Sequence, residues 1–216
     1  MEDALTNTLK NKFDPKNWVG FAAFKNYKYS GENLIDEVNQ LDPDLVIDVG
    51  CGHNRFKGRI KNLVGFDREP FPFADLHLGI DEINFRPESA DVVLVLGSIQ
   101  FGDFDLVERH MDKIVSWIKP GGFVVMRAMQ HHYSKLPYRH AHYIWTDADI
   151  EYFTKKYSFM IERGPWMEEV TNFNKSSVVS TRKVWWWKKP GTLKRYSIDL
   201  FDCSLSERDI INNQNI

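Results

Sequence analysis

Cysteine is scarce. Cys51 and Cys203 are the only two in the chain, so neither a disulfide framework nor a four-cysteine zinc site can be built. Long apolar runs are missing as well: the strongest, Val92 to Leu96, falls far short of the roughly 20 residues that cross a bilayer. Neither sign of charge dominates, with 28 Lys and Arg against 30 Asp and Glu. The net charge of −2 gives no global positive field to gather nucleic acid or an anionic membrane. The opening MEDALTNTLK lacks the basic and apolar regions of a secretory signal. Together these absences predict a cytoplasmic protein without membrane association. What is abundant is apolar and aromatic material, 43% and 14% of 216 residues, enough to fill a core. The length predicts one domain with appendages.

Buried-strand patterns alternate with helical ones along the chain. Leu45–Val49, Leu63–Phe66, a weaker Asp75–Leu78, Val92–Leu96 and Phe123–Met126 are short apolar runs, as a parallel sheet covered on both faces requires. Between the last two, Asp105–Lys119 carries Leu106, Val107, Met111, Ile114, Val115 and Ile118 at helical spacing. Pro120-Gly121-Gly122 then stops the helix. Thr146 with Asp149 three residues on reads as a capping box opening a helix to Lys156. Tyr157–Arg163 reads as a sixth strand and Ser176–Trp187 as a seventh, at or near the far side of the sheet. A loop with Gly164-Pro165 and Thr171–Asn174 joins them. The pattern predicts an α/β fold with a doubly wound sheet. Residues 1–29 read as an aromatic arm, 30–190 as the main domain and 191–216 as a tail.

The stretch Ile47-Asp48-Val49-Gly50-Cys51-Gly52-His53-Asn54 carries the chemistry. A buried strand runs into Gly50-x-Gly52, after which a short helix is expected near Arg55. Glycines let the backbone turn sharply and let a ligand approach it. Asp67 follows Gly50 by 17 residues at the end of the next strand, where an acid can accept both hydroxyls of a ribose. A dinucleotide site wants a third glycine, and Arg55 stands there. S-adenosylmethionine carries no phosphate and can do without it. Asp48 also suits a ligand bearing an ammonium and a sulfonium better than one bearing phosphates.

From about Ser30 to Trp187 the chain resembles the class I S-adenosylmethionine-dependent methyltransferases. Asp48-Val49-Gly50-Cys51-Gly52 matches their first motif and Asp67 their ribose-binding acid. Asp81–Phe85 followed by Ser89–Val93 has the shape of their approach to strand four, and Lys119–Phe123 that of their approach to strand five. The resemblance implies a Rossmann-like, seven-stranded, mostly parallel sheet with the last strand antiparallel, and S-adenosyl-L-methionine as cofactor. It implies a cofactor-binding set of Asp48, Gly50, Cys51, Gly52, Asp67, Arg68, Asp81, Glu82, Gly97 and Ser98, with the floor beneath the methyl group at Leu96–Gln100. Only 11 residues separate Gly52 from Leu63, so the first helix has about two turns. Pro70 and Pro72 remove the second crossover helix. Phe71 and Phe73, or the N-terminal arm, are expected to cover the pocket there, and Asn54 tolerates a left-handed turn.

Methyl transfer from a sulfonium needs alignment and help in removing the acceptor's proton. After strand five, four of the seven histidines fall within 12 residues. His131, His132 and Gln100 are the candidate catalytic residues, and Tyr133, Tyr138, His140 and His142 the candidate substrate contacts. A general base, a metal site and a solvated partner surface are the three readings of that stretch, and no metal is assigned. Gly97–Phe101 lacks the acid-Pro-Pro-aromatic signature of amino-methylating DNA enzymes, and no cysteine follows strand four as the cytosine C5 enzymes require. From Thr171 to Ile198 seven basic residues and no acids interleave with Trp185, Trp186 and Trp187. This leaves open an RNA methyltransferase that uses the 171–198 stretch, although tryptophans packing the strand explain the pattern more simply. The function expected is methyl transfer to a small-molecule, protein or glycan acceptor, with a catalytically silent S-adenosylmethionine-binding module as the other alternative.

Overall fold

The computed structural model describes residues 31–129, 143–171 and 178–191. The arm, the candidate residues His131, His132, Tyr133, Tyr138, His140 and His142, and residues 192–216 of the tail lie outside them. The described residues form β1 (Val46–Val49), β2 (Leu63–Phe66), β3 (Ala90–Val95), β4 (Ile118–Met129), β5 (Met160–Thr171) and β6 (Val178–Lys188). Three helices accompany them: α1 (Leu34–Gln40), α2 (Phe104–Trp117) and α3 (Asp147–Lys156).

The sheet order is β2-β1-β3-β4-β6-β5. β1, β2, β3 and β4 pair in parallel, and β6 runs antiparallel to both β4 and β5. The last strand is therefore antiparallel as expected, in a sheet of six strands rather than seven. The Asp75–Leu78 run contributes one parallel bridge, Leu76 to Phe66. β6 stands near the far side as expected, one strand in from the edge, between β4 and β5, with Val184–Trp187 buried. β5 takes the edge, with Met160 and Met167 exposed. It also runs on through Gly164-Pro165 to Thr171, with register shifts where the loop was expected.

Alternation along the strands sorts two cores. Ile47, Val49, Val93, Val95, Val124, Met126, Trp185 and Trp187 face α2 and α3. Val46, Val92, Leu94, Val125 and Trp186 face α1, Phe56 and Ile60. The helix predicted after the glycine turn is present only as successive turns over 52–59, in which Phe56 and Ile60 supply the apolar cover. No helix replaces it between β2 and β3. α2 starts on Asp103, whose side chain accepts the Leu106 N–H (2.9 Å). It ends at Trp117, before the glycines, because Ile118 already pairs with Ala90. α3 opens on the predicted capping box, in which Thr146 and Asp149 each accept the other's backbone N–H.

Candidate functional site

The cleft is built at the carboxyl ends of β1, β2 and β3. β1 runs into Gly50 and Gly52, both with left-handed φ (+64° and +54°), a conformation open to glycine at little cost. A Cβ on Gly50 would lie 2.5 Å from the Ser98 Cβ, so the first turn is pressed against the turn after β3. At Gly52 nothing lies within 4 Å of that position, and the bend there looks into open space. The bend is tied down on its other side. Cys51 N–H donates to the Phe66 carbonyl (3.0 Å), and Gly52 N–H donates to Asp67 Oδ2 (2.9 Å). Asp67 Oδ1 accepts from Glu69 N–H (2.9 Å). The side chain is only 9% exposed.

Asp48 is 3% exposed. Burial raises its carboxyl to about 7, the neighbouring Asp67 adds to the rise, and Arg127 opposes it. The thiol of Cys51 is driven far up by burial and then by Asp48, Asp67 and Asp75, so it stays protonated and is no nucleophile. Asn54 adopts the left-handed φ foreseen for it (+46°). Its amide donates to the Phe73 carbonyl (2.9 Å) and to Asp75 Oδ2 (3.1 Å). Phe71 is buried edge-on to His53, with centroids 4.9 Å apart, whereas Phe73 is 61% exposed.

The rest of the candidate set divides. Gly97 has φ +105°, and a Cβ there would lie 3.5 Å from the Gln100 amide nitrogen. Ser98 Oγ is buried without a hydrogen-bond partner, and Gln100 is buried. Ser98 lies against Gly50, and Gly97 against Gln100. Asp81 is exposed on the flank of α2. It lies 3.4 Å from His110 Nε2 and 3.7 Å from Arg109 Nε, while its carbonyl accepts from Lys113 Nζ (2.9 Å). Glu82 accepts the Gly79 N–H (2.7 Å), and Arg68 is exposed, its stem near Gly79.

Met129 ends β4, and Tyr143 N–H donates to the Gln100 carbonyl (2.8 Å). Trp145 Nε1 donates to the Ile99 carbonyl (3.1 Å). The 130–142 stretch is thus bounded at both ends at the carboxyl edge of the sheet. Of the basic-aromatic stretch, Lys175, Lys194 and Arg195 lie outside the described residues; within them Trp185, Trp186 and Trp187 are buried, and Lys183, Lys188 and Lys189 pair with Asp147, Glu162 and Glu88. Among the described residues no cluster of metal-ligating side chains occurs, and no helix is long and apolar enough to cross a membrane.

One buried charge went unassigned in the sequence reading, Arg127 on β4. Its guanidinium is 3.5 Å from Glu168 Oε2, and burial, then Arg182, lower it to about 9. The available signal was a lone cation closing the apolar run Phe123–Met126.

No family model matches the chain, and no curated protein matches it. Solved structures do. The fold is similar to the 1,6-didemethyltoxoflavin-N1-methyltransferase of Burkholderia thailandensis, solved with 1,6-didemethyltoxoflavin and S-adenosylhomocysteine. That likeness has TM-score 0.64 and 14% identity, over 85% of this chain and 88% of that one. It is similar to the N-methyltransferase NodS of Bradyrhizobium japonicum in complex with S-adenosylhomocysteine (TM-score 0.60, 12% identity, 87% and 100% covered). It is also similar to the [4+2]-cyclase SpnF (TM-score 0.53, 13% identity, 76% and 86% covered). The chain has the class I S-adenosylmethionine-dependent methyltransferase fold.

Proposed function

We propose that the chain is a methyltransferase that binds S-adenosyl-L-methionine in this cleft and acts on a small-molecule acceptor. The observation that carries the reading is the open face of Gly52 set between two carboxylates, Asp67 and the buried Asp48. Two acids at the bend repel phosphates and suit a ligand bearing an ammonium. Asp48 accepts from the ammonium, and the Asp67 carboxylate faces the ribose hydroxyls. Gly52 admits the ligand to backbone distance, and Gly97, Ser98 and Gln100 form the floor. Arg68, Asp81 and Glu82 belong to the rim on the adenine side. When bound, the cofactor supplies a methyl group already activated by its sulfonium, so the protein's part is alignment and removal of the acceptor's proton. His131 and His132 are the proposed proton acceptors, with Tyr133, Tyr138, His140 and His142 on the acceptor, because the chain leaves that stretch at Tyr143, whose N–H donates to the Gln100 carbonyl. The buried tryptophans offer no stacking faces for RNA, which favours the small-molecule reading.

Isothermal titration with S-adenosylmethionine, S-adenosylhomocysteine and NAD tests the ligand. We expect heat from the first two and none from NAD; the reverse would overturn the assignment. Release of S-adenosylhomocysteine with candidate acceptors then separates a transferase from a module that binds without transfer.

A further inference from the structure

Arg127 is 8% exposed, and its Nε and Nη1 are buried with no hydrogen-bond partner. The Glu168 oxygen 3.5 Å away is itself without one. A guanidinium offers five donors in a planar fork, and leaving the three carried by these two nitrogens unmet in a protein interior is costly. The sequence does not require a charge here for packing: Val125 and Trp186 on the same face are buried apolar residues of the α1-side core.

The placement is specific. Asp48 pairs with Leu94 and Leu94 with Val125, so Arg127, two residues on, stands on the face that carries Asp48 and nearer the carboxyl edge. Its Nη1 lies 3.2 Å from where a Gly31 Cβ would sit, and the backbone leading into α1 passes over it without a side chain. Around this point Arg127 has Arg182 and Glu168 as charged neighbours, while Asp48 contributes only part of a charge near neutral pH. The surplus is at most one positive charge. A singly charged planar oxyanion matches both that surplus and the fork, whereas a dianion would overshoot it beside Asp48 and Asp67.

We infer that Arg127 is the receptor for a carboxylate bound in the cleft. The inference rests on the cleft being the ligand site proposed above. The carboxylate has two possible sources, the amino-acid end of the cofactor and the methyl acceptor.

The test uses the full chain, as wild type, Arg127→Met and Arg127→Lys, with circular dichroism confirming the fold. S-adenosylhomocysteine and 5′-methylthioadenosine, which lacks the amino-acid carboxylate, are titrated by calorimetry. Melting of each nucleoside complex is then compared in sodium acetate and in sodium chloride at equal ionic strength. If the cofactor supplies the carboxylate, Arg127→Met weakens S-adenosylhomocysteine about 10- to 100-fold and leaves methylthioadenosine unchanged. If the acceptor supplies it, both nucleosides bind the variant as they bind wild type. Acetate then raises the melting temperature of the wild-type complex but not that of the variant. Arg127→Lys keeps the charge but loses the fork, so it moves the same readout in the same direction by less, and it serves if the methionine variant does not fold. Unchanged S-adenosylhomocysteine affinity together with identical acetate responses overturns the inference. Failure of either nucleoside to bind wild type overturns the cofactor reading instead, and the acetate comparison on the free protein still tests Arg127.

Discussion

Around β1, β2 and β3 the strands are four, four and six residues long and are joined by turns in place of helices. Around β4, β6 and β5 they are 12, 11 and 12 residues long and are packed with tryptophan. In the first region polar side chains hold the backbone. Asp75 Oδ2 accepts from Gly65 N–H and from the Asn54 amide, and Asp67 accepts from Gly52 and Glu69. In the second, Trp187 stacks on Phe159 at 5.5 Å and meets Trp145 and Trp185 at 6.3 and 5.3 Å. Its indole N–H donates to Thr154 Oγ1 (2.8 Å). Such cores contribute stability through buried area and close packing. The ligand-facing half must leave room, so directional bonds fix its shape while the aromatic half supplies the cohesion.

This division can be broken from either side. Trp187→Ala should cost about 3–5 kcal/mol of unfolding free energy, read by denaturant titration, while the folded fraction binds S-adenosylhomocysteine as before. Gly50→Ala places a methyl against Ser98 at a left-handed φ and should cost about 1–3 kcal/mol. Unlike the tryptophan change, it should also lower ligand affinity. Asp75→Ala strips acceptors from the Gly65 N–H, the Asn54 amide and Lys57. A loss of about 1–3 kcal/mol is expected, and hydrogen exchange should rise at Gly65 but not along β6.

The pH dependence is the most diagnostic. Because the fold raises the Asp48 carboxyl from 3.8 to about 7, the native state holds that proton more tightly than the unfolded chain. Its contribution to stability is therefore greatest below the unfolded value and falls as pH rises toward 7. A ligand ammonium needs the ionised carboxylate as its acceptor, so S-adenosylhomocysteine affinity should climb with pH below 7, by up to about tenfold per unit, and level off above. Asp48→Asn should flatten both trends. A slope that survives the substitution would assign the proton to another group.

The cleft half was largely legible in the sequence. Asp48, Gly50, Gly52 and Asp67 sit where strand order and glycine spacing put them, because the backbone geometry there admits few residue types. The missing crossover helix was legible from Pro70 and Pro72, and the cap of α3 from Thr146 and Asp149. The errors lie where pattern alone underdetermines structure. α1 has seven residues, too few for a helical period to declare itself. An apolar run such as Val184–Trp187 says that a strand is buried but not which strands flank it, and Gly164-Pro165 reads as a turn unless the edge position that tolerates proline is known. Arg127 was missed because one cation after an apolar run looks like the end of a strand, and only three dimensions reveal that it is enclosed.

The hydrogen bonds of Tyr143 to the Gln100 carbonyl and of Trp145 to the Ile99 carbonyl anchor the approach to α3 on the turn after β3. On the function proposed above, grafting a foreign segment between residues 130 and 142 changes acceptor preference and leaves S-adenosylhomocysteine affinity as it stands.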